Sequence, residues 1–161
     1  MKRRAVYAGS FDPFTFGHLS VALSAARIFD EVLILVAVNA DKACVFTPEE
    51  RVEMIRASVK SFESLSVDST EGYVVAYGGS NDFNFIVRGI RNETDAVMEI
   101  ALAELNLAFA PGIQTVLIPA NPTLSKVSSS SLKKRVEDRE SITMYCPPEV
   151  AKALYAKFGK I

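Results

Sequence analysis

The sequence predicts an α/β fold, in which helices cover both faces of a parallel sheet of about five strands. Apolar segments of strand length alternate along the chain with segments of helical periodicity, as they do in such sheets. Val32–Val38 is apolar throughout, which is typical of a parallel strand covered on both sides. No repeat, charged block or low-complexity segment divides the chain, so we expect a single domain over residues 1–161.

Five segments have the length and composition of strands. The first ends at Gly9-Ser10, and a polar cluster follows most of the others. The predicted strands are Arg4–Ala8, Val32–Val38, Leu65–Val67, Phe83–Val87 and Gln114–Ile118.

Helices are predicted between these strands and after the last one. Thr47, Pro48 and Glu50 have the pattern of a capping box with proline in the first turn, so a helix should begin there and continue through Val59. Residues 71–80 fit either a strand or one or two helical turns. The other predicted helices are Gly17–Phe29, Thr94–Ala110, Ser128–Val136 and Pro147–Phe158.

The composition is that of a soluble globular protein, with 49% hydrophobic residues, 23% charged residues and a formal net charge of -1. This charge gives no reason to expect nucleic acid or an anionic membrane as a partner. The longest apolar run is too short to span a bilayer. Cys44 and Cys146 form no metal or disulfide pattern, so a reducing, cytoplasmic location is expected.

Four polar clusters follow predicted strands, at Gly9–Asp12, Asp41-Lys42, Arg88–Arg91 and Ser128–Ser131. Because ligands of open α/β sheets bind at the carboxyl ends of the strands, we expect these clusters to meet at one edge. Glycines, hydroxyls, lysine and arginine are groups that bind phosphate. The chain has neither GxxxxGK[ST] nor GxGxxG, so the phosphates would be held by another arrangement.

His18 is the only histidine in the chain, and it follows Gly17 where a helix is predicted to begin. An isolated histidine of this kind is most simply a half-exposed helix residue bonded to a backbone carbonyl. Its place beside the Gly9-Ser10 loop favours a second interpretation, in which the ring donates a hydrogen bond to a bound anion.

Four motifs together resemble those of bacterial phosphopantetheine adenylyltransferases. The first, GSFDP followed by TFGH, is similar to the TxGH form of the HxGH nucleotidyltransferase signature, and VSSS followed by Lys133 is similar to ISSTxxR. FTPEER and RGIR complete the set, and the resemblance runs from about Arg3 to about Lys157. Lys133 also fits ordinary surface charge, because Lys134 and Arg135 are adjacent to it.

The resemblance implies a Rossmann-like, doubly wound nucleotidyltransferase fold. It also implies transfer of the adenylyl group of ATP to 4′-phosphopantetheine, which gives dephospho-coenzyme A and pyrophosphate in coenzyme A biosynthesis. The nucleophile is a phosphate that is already anionic, so no general base is needed. Mg²⁺ would be carried on the nucleotide phosphates, coenzyme A would compete at the active site, and the assembly would be a homohexamer.

By the same resemblance, His18 stabilises the transition state. The catalytic set is His18, Lys42, Arg88 and Arg91. The ATP site comprises Ser10, Phe11, His18, Gly89, Ile90, Arg91, Asp95, Glu99, Leu124, Val127, Ser128, Ser129 and Ser130. The acceptor site comprises Ser10, Lys42, Val74, Arg88, Leu102 and Asn106, and no residue of the chain is expected to bind a metal.

Several alternatives remain open. Leu102 also fits a core position and Glu99 a solvated charge. Ser10, Phe16 and Leu124 differ from the residues usual in this family, and residues 92–98 lack its usual acidic and aromatic pattern. Two other functions fit the same motifs: a nucleotidyltransferase that acts on a different phosphorylated acceptor, and a non-catalytic nucleotide sensor.

Overall fold

The computed structural model describes residues 2–39 and 41–159, and it has the predicted α/β architecture. The strands are β1 (Arg4–Gly9), β2 (Glu31–Ala37), β3 (Leu65–Thr70), β4 (Phe85–Ile90) and β5 (Gln114–Pro119). They form one sheet in the order β3-β2-β1-β4-β5, and every pairing is parallel. The chain passes from β1 to β2 on one side and returns to β4 on the other, so the switch point lies between β1 and β4.

The described chain has six α-helices: four connect successive strands, and a short 3₁₀ turn at Pro122–Leu124 and the last two helices follow β5. Thr47 and Glu50 form the predicted capping box of α2, and the ambiguous segment after β3 contains the short helix α3. The helices are α1 (Phe16–Ala25), α2 (Pro48–Val59), α3 (Val74–Ser80), α4 (Glu93–Phe109), α5 (Ser129–Glu137) and α6 (Pro148–Lys157).

Alternate residues of the central strand pack on opposite faces of the sheet. Ala5 and Tyr7 belong to the larger hydrophobic core, which also contains apolar residues of α1, α2, α5 and α6. Val6 and Ala8 belong to a smaller cluster, against which Val74 and Tyr77 of α3 pack. The layered arrangement with helices on both faces is therefore confirmed.

Some predicted boundaries were wrong. The first helix ends at Ala25, not at Phe29, because the chain turns there and the Phe29 ring packs 5.0 Å from the Phe85 ring, between centroids. The strand predicted at Phe83–Val87 begins at Phe85 and continues to Ile90, so the first three residues of the RGIR segment form its end and Arg91 follows it.

The long helix α4 is unusual because none of its 17 residues is buried. It carries several large apolar side chains that are more than a third exposed, among them Val97 at 69%, Met98 at 68% and Phe109 at 81%. Within the described ranges, no helix has both the length and the apolar character needed to cross a membrane.

Candidate functional site

A cavity of about 400 Å³ lies at the switch point, at the carboxyl ends of the strands. The four polar clusters all contribute to its lining, as the parallel sheet predicts. The predicted site residues that line it are Ser10, Phe11, His18, Lys42, Arg88, Gly89, Arg91, Asp95, Glu99, Leu124, Val127, Ser128, Ser129 and Ser130.

Four predicted site residues do not line this cavity. Val74 begins α3, and Ile90 ends β4, where it pairs with Pro119. Leu102 and Asn106 lie further along α4 than Glu99. Leu102 is 38% exposed, so the alternative that made it a core residue is wrong.

His18 is the third residue of α1 and takes part in its capping box. The Thr15 hydroxyl accepts a hydrogen bond from the His18 backbone N–H at 3.2 Å, and His18 Nδ1 accepts one from the Thr15 N–H at 3.0 Å. The simple expectation of a carbonyl partner was therefore wrong. A ring nitrogen that accepts from an amide carries no proton, so the neutral ring has its proton on Nε2.

The surroundings of His18 keep it neutral. Its ring lies 5.1 Å from that of Phe11 and 5.7 Å from that of Phe14, between centroids. Burial, helped by the positive charge of Arg91, lowers the pKa of His18 to about 4. At neutral pH the side chain is thus an uncharged hydrogen-bond donor that lines the cavity.

Arg88 is held in place by two groups. Its Nε and Nη2 each donate to a carboxylate oxygen of Glu99 at 2.7 Å, and its Nη1 donates to the Ala8 carbonyl at 2.8 Å. Glu99 is therefore an ion-paired residue and not a solvated charge. Since a guanidinium has five N–H groups, two of those on Arg88 have no partner among the residues that the structure describes.

Arg91 and Lys42 supply the other positive charges of the cavity. Arg91 Nε donates to Asp95 Oδ2 at 2.8 Å, and this bond holds the pKa of Asp95 below its usual range. Lys42 Nζ donates to Ser10 Oγ at 3.3 Å. Within the described part of the chain, Lys42 has no carboxylate partner, so its charge is available to a ligand.

Asp12 positions loops of the site through buried hydrogen bonds, and it was not among the predicted site residues. Its side chain is only 4% exposed. It accepts hydrogen bonds from the Val45 N–H at 3.0 Å, the Phe46 N–H at 2.9 Å and Lys133 Nζ at 3.2 Å. Although burial raises the pKa of Asp12, these bonds outweigh burial and lower the pKa overall. Lys133 is therefore an internal ion-pair partner, and the interpretation as surface charge was wrong.

Arg51 plays a similar part and was also missed as a functional residue. It is 3% exposed, and its Nη1 donates to the Ser10 carbonyl at 2.7 Å while its Nε donates to the Thr47 carbonyl at 3.3 Å. Asp12 and Arg51 thus join the loop that carries Ser10 to the segment that follows Lys42. The sequence did contain a signal for both residues, because Asp12 belongs to the GSFDP motif and Arg51 to the FTPEER motif.

The four serines at the start of α5, Ser128–Ser131, have different roles: two form the capping box of the helix, and two do not. Ser128 is the N-cap and accepts from the Ser131 N–H at 3.0 Å, while the Ser131 hydroxyl accepts from the Ser128 N–H at 2.9 Å. Ser129 donates to the Pro13 carbonyl at 2.8 Å. Among the described residues, the hydroxyl of the exposed Ser130 has no hydrogen-bond partner.

The arrangement is suited to a polyanion. Two helix N-termini, those of α1 and α5, meet at the cavity, and each favours negative charge through its free N–H groups and dipole. The charged side chains that line it are Lys42, Arg88, Arg91, Asp95 and Glu99. No group of three metal-binding side chains occurs in the part of the chain that the structure describes.

Comparison with known proteins gives a consistent result. A family model described as cytidylyltransferase-like matches residues 6–135. The phosphopantetheine adenylyltransferase of Leptospira biflexa is 39% identical over 159 residues, which is 99% of each chain. Those of Clostridium novyi (36% over 159 residues, 99% of each chain) and Thermotoga neapolitana (37% over 153 residues, 95% of each chain) match similarly. All residues that line the cavity lie within the part of the chain that the family model matches.

Proposed function

Since this chain belongs to the phosphopantetheine adenylyltransferase family, we propose that it transfers the adenylyl group of ATP to 4′-phosphopantetheine. The products are dephospho-coenzyme A and pyrophosphate. The observation that carries this proposal is the cavity itself, which combines three cationic side chains, a serine hydroxyl cluster and one neutral histidine donor. A silent nucleotide sensor would not need this full set of groups for phosphoryl chemistry.

The reaction is a displacement at the α-phosphorus of ATP. A phosphate oxygen of 4′-phosphopantetheine forms a bond to that phosphorus, and the bond to the bridging oxygen of pyrophosphate breaks. The attacking oxygen is already anionic, so no proton has to be removed. His18 is unsuited to act as a base because its Nδ1 is occupied by the Thr15 amide and its pKa is about 4. Its Nε2–H would stabilise the charge that develops around the α-phosphate.

The remaining groups bind the two substrates. Lys42 and the two unassigned N–H groups of Arg88 would hold the acceptor phosphate, and Ser10 lies beside Lys42 to bridge it to ATP. Arg91 and the N-terminus of α5 would hold the β- and γ-phosphates. Gly89, Ile90, Leu124 and Val127 would contact the nucleotide, while Val74, Leu102 and Asn106 would contact the pantetheine arm.

Mg²⁺ is part of this proposal, carried on the nucleotide phosphates. The five charged side chains of the cavity comprise three positive and two negative groups, far too little to neutralise a triphosphate and a second phosphate. Both carboxylates that line the cavity, those of Asp95 and Glu99, are ion-paired with arginines, so neither is free to bind the metal. The bound ion would offset negative charge on the leaving pyrophosphate.

We further propose that the chain assembles as a homohexamer, acts in the cytoplasm and binds coenzyme A as a competitor. The exposed apolar side chains of α4 support self-association, because monomers rarely expose apolar patches of that extent. The number six comes from the family resemblance. Light scattering of the purified protein measures it directly.

Pyrophosphate release from ATP and 4′-phosphopantetheine tests the activity, with CTP and nicotinamide mononucleotide as control substrates. Lys42→Ala should raise the KM for 4′-phosphopantetheine by about tenfold or more, because a charged contact to one substrate is lost. The dissociation constant of ATP should stay within about twofold on the same grounds. Lys152→Ala, on the exposed surface of α6, is the matched control.

Three outcomes would contradict these statements. Pyrophosphate release with a different acceptor, but not with 4′-phosphopantetheine, would identify another nucleotidyltransferase. ATP binding without turnover of any acceptor would identify a sensor. An equal loss of affinity for both substrates in Lys42→Ala would assign Lys42 to the triphosphate.

A further inference from the structure

Tyr7 has a hydroxyl group that the proposed reaction does not yet use. The residue lies on β1, the central strand, and is only 5% exposed. Its ring packs edge-on against Phe11, with 5.3 Å between centroids, and the residue lines the cavity. In residues 2–39 and 41–159, its hydroxyl makes no hydrogen bond with any side chain or backbone group. The Tyr7 oxygen is not sealed in the interior but opens to the cavity, where a bound ligand can accept its hydrogen bond.

The hydroxyl lies next to the groups that surround the acceptor phosphate in the proposed function. A Cβ atom placed on Gly89 would be 3.7 Å from the Tyr7 oxygen, so the hydroxyl lies beside the end of β4. Among the charged groups around it, Arg88 exerts the strongest effect, ahead of Glu99 and Arg91.

The hydroxyl is protonated under all working conditions. Burial raises the pKa of Tyr7 far above its ordinary value, and the positive charge of Arg88 opposes this only in part. The group is therefore a neutral O–H donor that opens to the cavity beside Gly89, the residue that follows Arg88 on β4. A phosphate bound to Arg88 would accept the hydrogen bond of the Tyr7 hydroxyl, and this bond would strengthen phosphate binding.

We propose that the Tyr7 hydroxyl donates a hydrogen bond to the phosphate group of the acceptor, beside the two unassigned N–H groups of Arg88. This inference rests on the proposed function, because it takes 4′-phosphopantetheine as the acceptor. Tyr7 is thus a substrate-binding residue on the floor of the cavity. Its donor is fixed by ring packing, whereas the Lys42 side chain provides charge from the loop that follows β2.

Tyr7→Phe removes only the oxygen, and Tyr145→Phe is the matched control at a ring that packs against Arg135 outside the cavity. Calorimetry should show 4′-phosphopantetheine binding weakened about tenfold or more in Tyr7→Phe, the usual effect of losing a hydrogen bond to a charged group. Binding of Mg-ATP, and binding of pantetheine without its phosphate, should be unchanged. The melting temperature of the empty protein should not fall, because the hydroxyl has no partner there to lose.

The possible contrary results are distinct. Unchanged 4′-phosphopantetheine binding in Tyr7→Phe would overturn the inference and leave the proposed function intact. A lower melting temperature with unchanged binding would mean that the hydroxyl has a structural partner. Equal weakening for pantetheine and its phosphate would show that the effect comes from cavity shape. Failure of the wild type itself to bind 4′-phosphopantetheine would overturn the proposed function instead.

Discussion

His18 has two functions that a pair of substitutions can separate. Its Nδ1 accepts the Thr15 amide and so caps α1, while its Nε2–H is the donor proposed for the transition state. His18→Ala removes both groups. His18→Gln keeps an acceptor for the Thr15 amide, because glutamine at the third helical position completes a capping box, but it lacks the ring N–H.

The two losses have different sizes. Losing the capping acceptor should cost about 1 kcal/mol of stability, which lowers the melting temperature of a chain of this length by roughly 2–4 °C. Losing one positioned donor should raise the activation free energy by about 3 kcal/mol, or lower turnover roughly a hundredfold. His18→Ala should show both effects, and His18→Gln should show the second with much less of the first.

Turnover is measured as pyrophosphate release at saturating substrates, and stability as the melting temperature of the empty protein. ATP affinity, followed by calorimetry, should fall far less than turnover in either variant, because the donor acts on charge that develops only in the transition state. Wild-type turnover in His18→Gln would refute the catalytic role. A recovery of turnover in step with the melting temperature would show that the cap alone matters.

Two further predictions concern the same cavity. The resonance of the single histidine should titrate near pH 4 and not near 6.5, and NMR can follow it without assignment. Because the pKa of His18 is lower in the folded state, the unfolded chain takes up the proton first as the pH falls. The contribution of the neutral ring to the free energy of unfolding is therefore complete above pH 6.5, and about 3 kcal/mol of it is lost as the pH falls to 4. His18→Gln should not show this loss. At α5, Ser130→Ala should weaken Mg-ATP binding without lowering the melting temperature of the empty protein, since its hydroxyl has no partner there. Ser131→Ala, which removes part of the capping box, should lower the melting temperature and leave Mg-ATP binding unchanged. Ser129→Ala should weaken Mg-ATP binding and also lower the melting temperature, because the hydrogen bond to the Pro13 carbonyl is lost. Equal effects from all three substitutions would contradict this division.

The parts of the site that could be predicted are those that depend on short-range pattern. The apolar run Val32–Val38 indicates a central parallel strand, and polar residues after such strands must meet at one edge of the sheet. This is why Ser10, Lys42 and Arg88, which are far apart in the chain, were expected together. They do line one cavity.

The contacts that were missed depend on partners distant in the chain. Asp12 pairs with Lys133, 121 residues away, and nothing in a single sequence connects the two. Arg51 was known only as the last residue of the FTPEER motif, and its contact with the Ser10 carbonyl, 41 residues away, needed the structure. The start of β4 was wrongly predicted at Phe83 for a similar reason. Phenylalanine is common in strands, but this ring packs against α3 and the Arg4 guanidinium, with 4.2 Å between the guanidinium carbon and the ring centroid.

The contacts of Asp12 and Arg51 matter for the proposed reaction, because a reaction that needs no base depends on how its phosphate-binding groups are positioned. When the nucleophile is already anionic, rate depends on where phosphate-binding groups are held. Ser10 and Lys42 lie on loops, and Asp12 joins the Ser10 loop to Val45 and Phe46, which follow Lys42, and to Lys133 of α5. Breaking a buried ion pair by removing one partner leaves an uncompensated charge, which costs about 3–5 kcal/mol. Asp12 and Arg51 therefore hold the loop that carries Ser10 against the segment that follows Lys42, while the side chains of Ser10 and Lys42 still line the cavity.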